Sequence, residues 1–212
     1  IYLLATTKSF KTAKLNEAIR FSEELAVVRG RVRQSEGVKR DLQVAIQGNV
    51  KTFSVNGKRE TLTRYLGQLH AVVFNSQELE IIRGVPEARR KFLDGGIVSL
   101  HPPFIQTFTD FGKVLRQKAS LLQKARDNEY SVEKTAELLV PWNEQLVSLA
   151  ARIHKGRLRF VERINEALEK KLFGREELNI RYASSLEDKG DLSDYEALLR
   201  ERYRGGQSFF VV

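Results

Sequence analysis

The stretch "KTFSVNGKRE", Lys51 to Glu60, decides how the first part of this chain folds. Apolar and polar residues alternate up to Val55. Asn56-Gly57 is then the dipeptide that a two-residue hairpin turn favours, because both central residues of such a turn take positive φ. The same alternation runs through "KRDLQVAIQ" (39–47) and "LAVVRGRVR" (25–33), so the region from Glu24 to Phe74 reads as antiparallel sheet. A short helix near "LTRYLGQL" follows, and "HAVVF" (70–74) is a compact apolar run suited to a buried strand.

Upstream, "IYLLA" is read as the continuation of a helix, and "TKSFKTAKLNEAIRF" as a loop and a short helix. Downstream of Ser76 the period becomes helical. Gly84 ends one helix and Pro86 suits the first position of the next, with Glu87 at the positive end of its dipole and within reach of Lys91. Phe92 and Leu93 are expected in the core of that helix. Phe104, Phe108, Phe111, Leu115 and Leu122 line one face of a long helix, with Lys113, Arg116, Lys118 and Lys124 away from it.

A shorter element is expected near "SVEKTAELLV". Trp142, after Pro141, then opens a second long helix whose stripe is Leu146, Leu149, Ile153, Phe160, Ile164, Leu168 and Leu172. The two long helices should pack antiparallel. "ELNIRYASS" (177–185) returns to strand, "LSDYEALLRERYRGG" (192–206) is a helix closed by glycine, and "QSFFVV" (207–212) is a last strand.

Composition narrows the chemistry. Among 212 residues, 36 Lys and Arg oppose 27 Asp and Glu, a formal charge of +9 that favours phosphate-bearing partners, nucleic acid first. The absence of cysteine excludes disulfides, thiolate metal sites and a cysteine nucleophile, and fits a cytoplasmic compartment. His70, His101 and His154 lack metal-ligand spacing, so no metal site is expected. No apolar run reaches the roughly 18 residues of a membrane span.

"QGNVKT" fails as a phosphate loop, because its two glycines would fall on Ala45 and Val50. His101 and Asp110 read as a helix entry and a surface acid, and no catalytic constellation is complete. Basic helical clusters remain: Lys113, Arg116 and Lys118 in "KVLRQK", and Lys155, Arg157 and Arg159 in "HKGRLR", all candidates for phosphate contact. In "GVPEARRKFLD", Arg90 can pair with Asp94 one turn on. Arg89 has no local acid and must find a carboxylate, a carbonyl or a phosphate elsewhere, so it joins the DNA-binding candidates.

"VVFNSQELEIIRGVPEARRKFLDGG" (72–96) resembles a segment of the RecF family, bacterial recombination mediators with an SMC-like ABC ATPase head. "IYLLATTKSFKT", "FGKVLRQKASLL" and "LLVPWNEQLVSLAARI" are similar to further segments of that family in the same order. The resemblance implies an α+β fold. Residues 1–75 would be part of ATPase lobe I, a helix plus antiparallel sheet; 76–176 a helical lobe II; and 177–212 a strand-helix-strand return toward lobe I.

It also implies an ATP-dependent, dimerising DNA clamp, using ATP and Mg in the full-length parent. The clamp would act at single-strand gaps and junctions in the SOS response, with RecR, RecO and RecA as partners. Met is absent throughout, and both ends are blunt, so an internal fragment is expected, with the phosphate loop before Ile1 and the signature and Mg-binding acids after Val212. Carried over by position, the family's Ser-Phe-Arg falls on Ser9, Phe10 and Lys11, and its coupling loop on Ser76 and Gln77. Ser9, Lys11 and Gln77 are thus the nucleotide-proximal or coupling candidates. The rival expectation is a non-ATPase basic nucleic-acid-binding or protein-interaction module.

Overall fold

The computed structural model describes residues 1–12, 14–33, 37–128, 130–169, 178–184 and Ala197. They form two compact units, 1–103 and 104–212, each with its own core.

The first unit is built on a four-stranded antiparallel meander, β1 (Leu25–Arg33), β2 (Lys39–Gln47), β3 (Val50–Val55) and β4 (Lys58–Glu60), in that spatial order. β1 and β2 have the boundaries that alternation predicts. Asn56 and Gly57 turn the β3–β4 hairpin with φ of 51° and 78°, the positive pair that the type I′ turn requires. Period-2 alternation sends Leu42, Val44 and Ile46 to one face. There they pack with Leu4 of α1 (Tyr2–Thr6) and Tyr65 of α2 (Leu62–Tyr65).

Two local devices seat α1 on the sheet. A Cβ on Gly30 would lie 2.7 Å from Leu4 Cδ1, so glycine there lets the Leu4 side chain lie close against β1. The Tyr65 hydroxyl donates to the Leu4 carbonyl at 3.0 Å, and burial pushes its pKa up to about 12. At the end of α1, Thr7 takes a left-handed conformation, and the half-buried Lys51 ammonium donates to its carbonyl.

"HAVVF" does not form the expected buried strand. No element is assigned to 70–74, and Val72 and Phe74 are 99% and 86% exposed. A strand buried on both faces needs neighbours to take up its backbone groups, and none of the four described strands pairs with it. A 3-10 turn (Ser76–Leu79) and α3 (Glu80–Arg83) lead to α4 (Pro86–Leu100). Gly84 is the α3 C-cap, where a Cβ would approach the Glu80 carbonyl oxygen to 2.5 Å, and Pro86 opens α4 as expected. Leu93 and Ile97 are the buried residues of α4, while Phe92 is exposed, against expectation.

The second unit is an antiparallel hairpin of α5 (Phe104–Asp127) and α6 (Val132–Leu168). Phe104 at the start of α5 lies over Gly156, late in α6. No separate element precedes Pro141: α6 runs unbroken through it from its cap, Ser131, whose hydroxyl accepts from the Lys134 amide at 3.2 Å. Proline leaves the Glu137 carbonyl without its helical donor, and the buried residues downstream, from Leu146 to Val161, offset that loss by packing.

Nor does 178–184 form a strand. The Asn165 side chain takes the place of a neighbouring strand there, accepting from the Ile180 amide and donating to the Ile180 carbonyl, both at 2.9 Å. The expected helix at 192–206 and strand at 207–212 fall outside the described residues, apart from Ala197, which is helical. Among the described residues no helix is long and apolar enough to cross a membrane.

Candidate nucleic-acid interface

The helical cations divide by helix phase. Lys113 and Arg116 are exposed on α5, and Lys155 and Arg159 on α6. Lys113 lies 3.3 Å from Asp110. The carboxyl of Asp110 is held below its usual range first by the Gln106 amide and then by Lys113. Lys118 is a correction: it is only 7% exposed, in the buried row with Thr107, Val114 and Ala125, and burial lowers its pKa. A phosphate does not reach it in this fold. Arg157 is half-buried and donates to the Tyr182 hydroxyl at 3.5 Å, next to the buried His154 ring, whose centroid lies 5.3 Å from that of Tyr182 at a tilt of 53°.

In the first unit, Ser9 organises its own loop: its hydroxyl accepts from the Lys11 and Thr12 amides at 3.1 and 3.3 Å, leaving the Lys11 side chain exposed. Gln77 has a described backbone, inside the 3-10 turn, and its side chain lies outside the described set. Arg89 is exposed, and the partners it finds are carbonyls. Its guanidinium donates to the carbonyls of Gly84 and Ile81, at 3.0 and 3.4 Å, capping α3 with positive charge where the helix dipole is negative. Arg90 and Asp94 are both half-buried one turn apart, and Lys91 pairs with Glu87 at 2.7 Å as expected.

Sequence reasoning passed over a further array of cations, on the sheet. Arg29, Arg31 and Arg33 alternate along β1, so all three project from the face opposite the core. The register sets Gln43, Asp41 and Lys39 of β2 across from them, and Arg59 of β4 shares that face opposite Ser54. Arg29 Nε donates to Gln43 Oε1 at 2.6 Å, and Arg31 binds Asp41 bidentately at 2.6 and 3.1 Å. That hydrogen bond is the main reason the Asp41 carboxyl sits below its usual range. Asn56 fixes Asp41 from behind, accepting from its amide at 2.8 Å and donating to its carbonyl at 2.7 Å. A shallow depression of about 460 Å³ opens between these side chains. The signal was present in "RGRVR", whose arginines recur at the strand period.

The α+β fold of this chain is shared with solved recombination mediator proteins. The chain aligns with one described as the recombination mediator protein RecF-ATPrS of the RecFOR pathway, with a TM-score of 0.81 at 30% identity, covering 96% of this chain and 54% of that one. A second, described as RecF-ATP of the same pathway, gives 0.81 at 29% identity, covering 95% and 55%.

Curated relatives bear the same name, DNA replication and repair protein RecF. That of Geobacter sp. (strain M21) is 35% identical over 170 residues, 80% of this chain and 44% of the relative. That of Geotalea uraniireducens (strain Rf4) is 31% identical over 201 residues, 92% and 52%. That of Streptococcus pneumoniae (strain P1031) is 29% identical over 216 residues, 99% and 57%. No family model matches the chain. Relatives and solved structures together support this chain as a RecF segment, and it spans about half the length of the curated relatives it matches.

Proposed function

We propose that the protein carrying this chain works in DNA replication, repair and recombination as an ATP-dependent DNA-binding mediator. The observation that carries this reading is the 0.81 TM-score to RecF-ATPrS at 30% identity over 96% of the chain, with the basic charge of +9 in support. Residues 1–75 and 177–212 would belong to the first lobe of an ATPase head and 76–176 to its helical second lobe. Ser9, Lys11 and Gln77 would lie toward the nucleotide or the coupling path. ATP with Mg would drive dimerisation of the full-length protein, and RecR, RecO and RecA would be its partners at single-strand gaps.

The isolated 212-residue chain, which contains no GxxxxGK[ST] loop, should not turn over ATP. The test is duplex and gapped-DNA binding by the full-length protein, with and without Mg-ATP, across a salt series. ATP should tighten binding, and rising salt should weaken it steeply. Binding indifferent to both ATP and salt would overturn the proposal.

A further inference from the structure

We propose that the open face of the β1–β4 sheet is a contact surface for the sugar-phosphate backbone of duplex nucleic acid. Resting on the DNA-binding function proposed above, it places a contact for that DNA on the sheet of the first unit.

Three observations carry it. Arg29, Arg31, Arg33, Lys39 and Arg59 share this face, and Asp41 is the one acid among its described residues. Successive β1 arginines are set about 6.8 Å apart by the strand rise, a step comparable to that between neighbouring phosphates on a nucleic-acid strand. Arg33 and Lys39 stand directly opposite each other in the register, a like-charge pairing that costs stability in an empty sheet and is relieved when an anion sits between them.

The chemistry of the face also selects the ligand. Its polar remainder is Gln43, Gln47, Thr52 and Ser54, and Leu25, Val27, Ala45 and Val50 make its other end apolar, so the cations gather at the Arg33–Lys39 end; none of its side chains is aromatic, so it offers no platform on which unpaired bases could stack. Guanidinium and ammonium groups with short hydroxyl and amide donors bind phosphate oxygens in any sequence. Within the row, Gln43 holds Arg29 through Nε alone, while Arg31 has its whole fork occupied by a carboxylate, Asp41. Asp41 therefore limits affinity.

The experiment uses the full-length protein and fluorescent DNA, read by anisotropy across a salt series, with duplex and single-stranded arms of mixed sequence. Combined Arg29→Ala, Arg33→Ala and Lys39→Ala should flatten the log K against log salt slope on duplex by about 2 to 3 and weaken binding roughly a hundredfold at 0.1 M salt. Asp41→Asn should do the reverse, raising affinity several-fold and steepening the slope by about 1 as Arg31 becomes available. Misfolding cannot mimic that gain. If wild-type protein binds duplex steeply with salt and both variants match it, the sheet surface is overturned while the DNA-binding function stands. Loss confined to the single-stranded arm would also overturn it. Failure of the wild type to bind DNA at all would remove the function and the surface together.

Discussion

His154 should make the second unit sensitive to mild acid. Its ring is 2% exposed inside the α5–α6 hairpin, and burial, aided by the nearby Arg157 charge, lowers its pKa from 6.5 to about 4. The unfolded chain binds a proton at His154 near pH 6.5 and the folded chain only near 4, so folding stability from this group is complete above 6.5 and is lost as pH falls between the two. With about 1.36 kcal/mol per pKa unit, the loss between pH 7 and 4.5 comes to about 2–3 kcal/mol. Trp142, the single tryptophan, lies on the same helix, so urea melts followed by its fluorescence report on this unit. His154→Leu keeps a buried side chain of similar size and removes the proton site. The wild type should lose 2–3 kcal/mol more than the variant on going from pH 7 to 4.5, to within about a kcal/mol. Equal pH dependence in the two proteins would refute the reasoning.

Tyr65→Phe should cost the first unit about 1–2 kcal/mol by stranding the buried Leu4 carbonyl, as measured by chemical denaturation followed by circular dichroism. Lys118→Met should leave the salt slope of DNA binding unchanged, since a side chain in the helix seam releases no counterions; a slope flatter by about 1 would show that it reaches phosphate. Gly156→Ala adds about 1 kcal/mol of helix propensity but sets a Cβ 2.7 Å from the Phe104 ring, an overpacking of about 1–3 kcal/mol, so thermal melts should show a net loss of about 1. Arg89→Ala should cost less than about 1 kcal/mol in the same assay, because its guanidinium caps exposed carbonyls.

The sheet was legible because its signals are local. Strand period, hairpin dipeptide and register all lie within a few residues of one another, and the Asn56-Gly57 turn fixes the pairing of β3 with β4. "HAVVF" and "ELNIRYASS" carry comparable strand composition and form no strand, because a strand is a relation between segments and composition does not say whether a neighbour is in place. Asn165 makes the point at one residue: two hydrogen bonds from a helix side chain hold Ile180 where a strand partner was expected. The RecF-like segments were legible for a different reason, since their order along the chain does not depend on how each one packs. Pro141 misled because proline is as much at home in a first turn as it is costly in an interior, and only the packing on both sides decides between them.

The basic surface was misread through helix phase, and the geometry of the hairpin explains why. The stripe that the sequence suggests for α5 is Phe104, Phe108, Phe111, Leu115 and Leu122, yet the first four are half-buried, Leu122 is exposed, and the seam is Thr107, Val114, Lys118 and Ala125. On α6 the matching seam includes Ala150 and Ala151, and Gly156 sits beneath a phenyl ring. Helices that approach to about 8–10 Å need small or slender side chains at the line of contact, while aromatic rings cover the flanks. Centring the stripe on the rings rotates the helix enough to move Lys118 from the seam to solvent, which is how it came to be counted as a DNA contact. On β1 no such rotation is available, because a strand offers two faces and the core fixes which is inside. Arg29, Arg31 and Arg33 are therefore assigned to solvent by the burial of Ala26, Val28 and Val32 against the core, and their outward placement is the more secure part of the charge map.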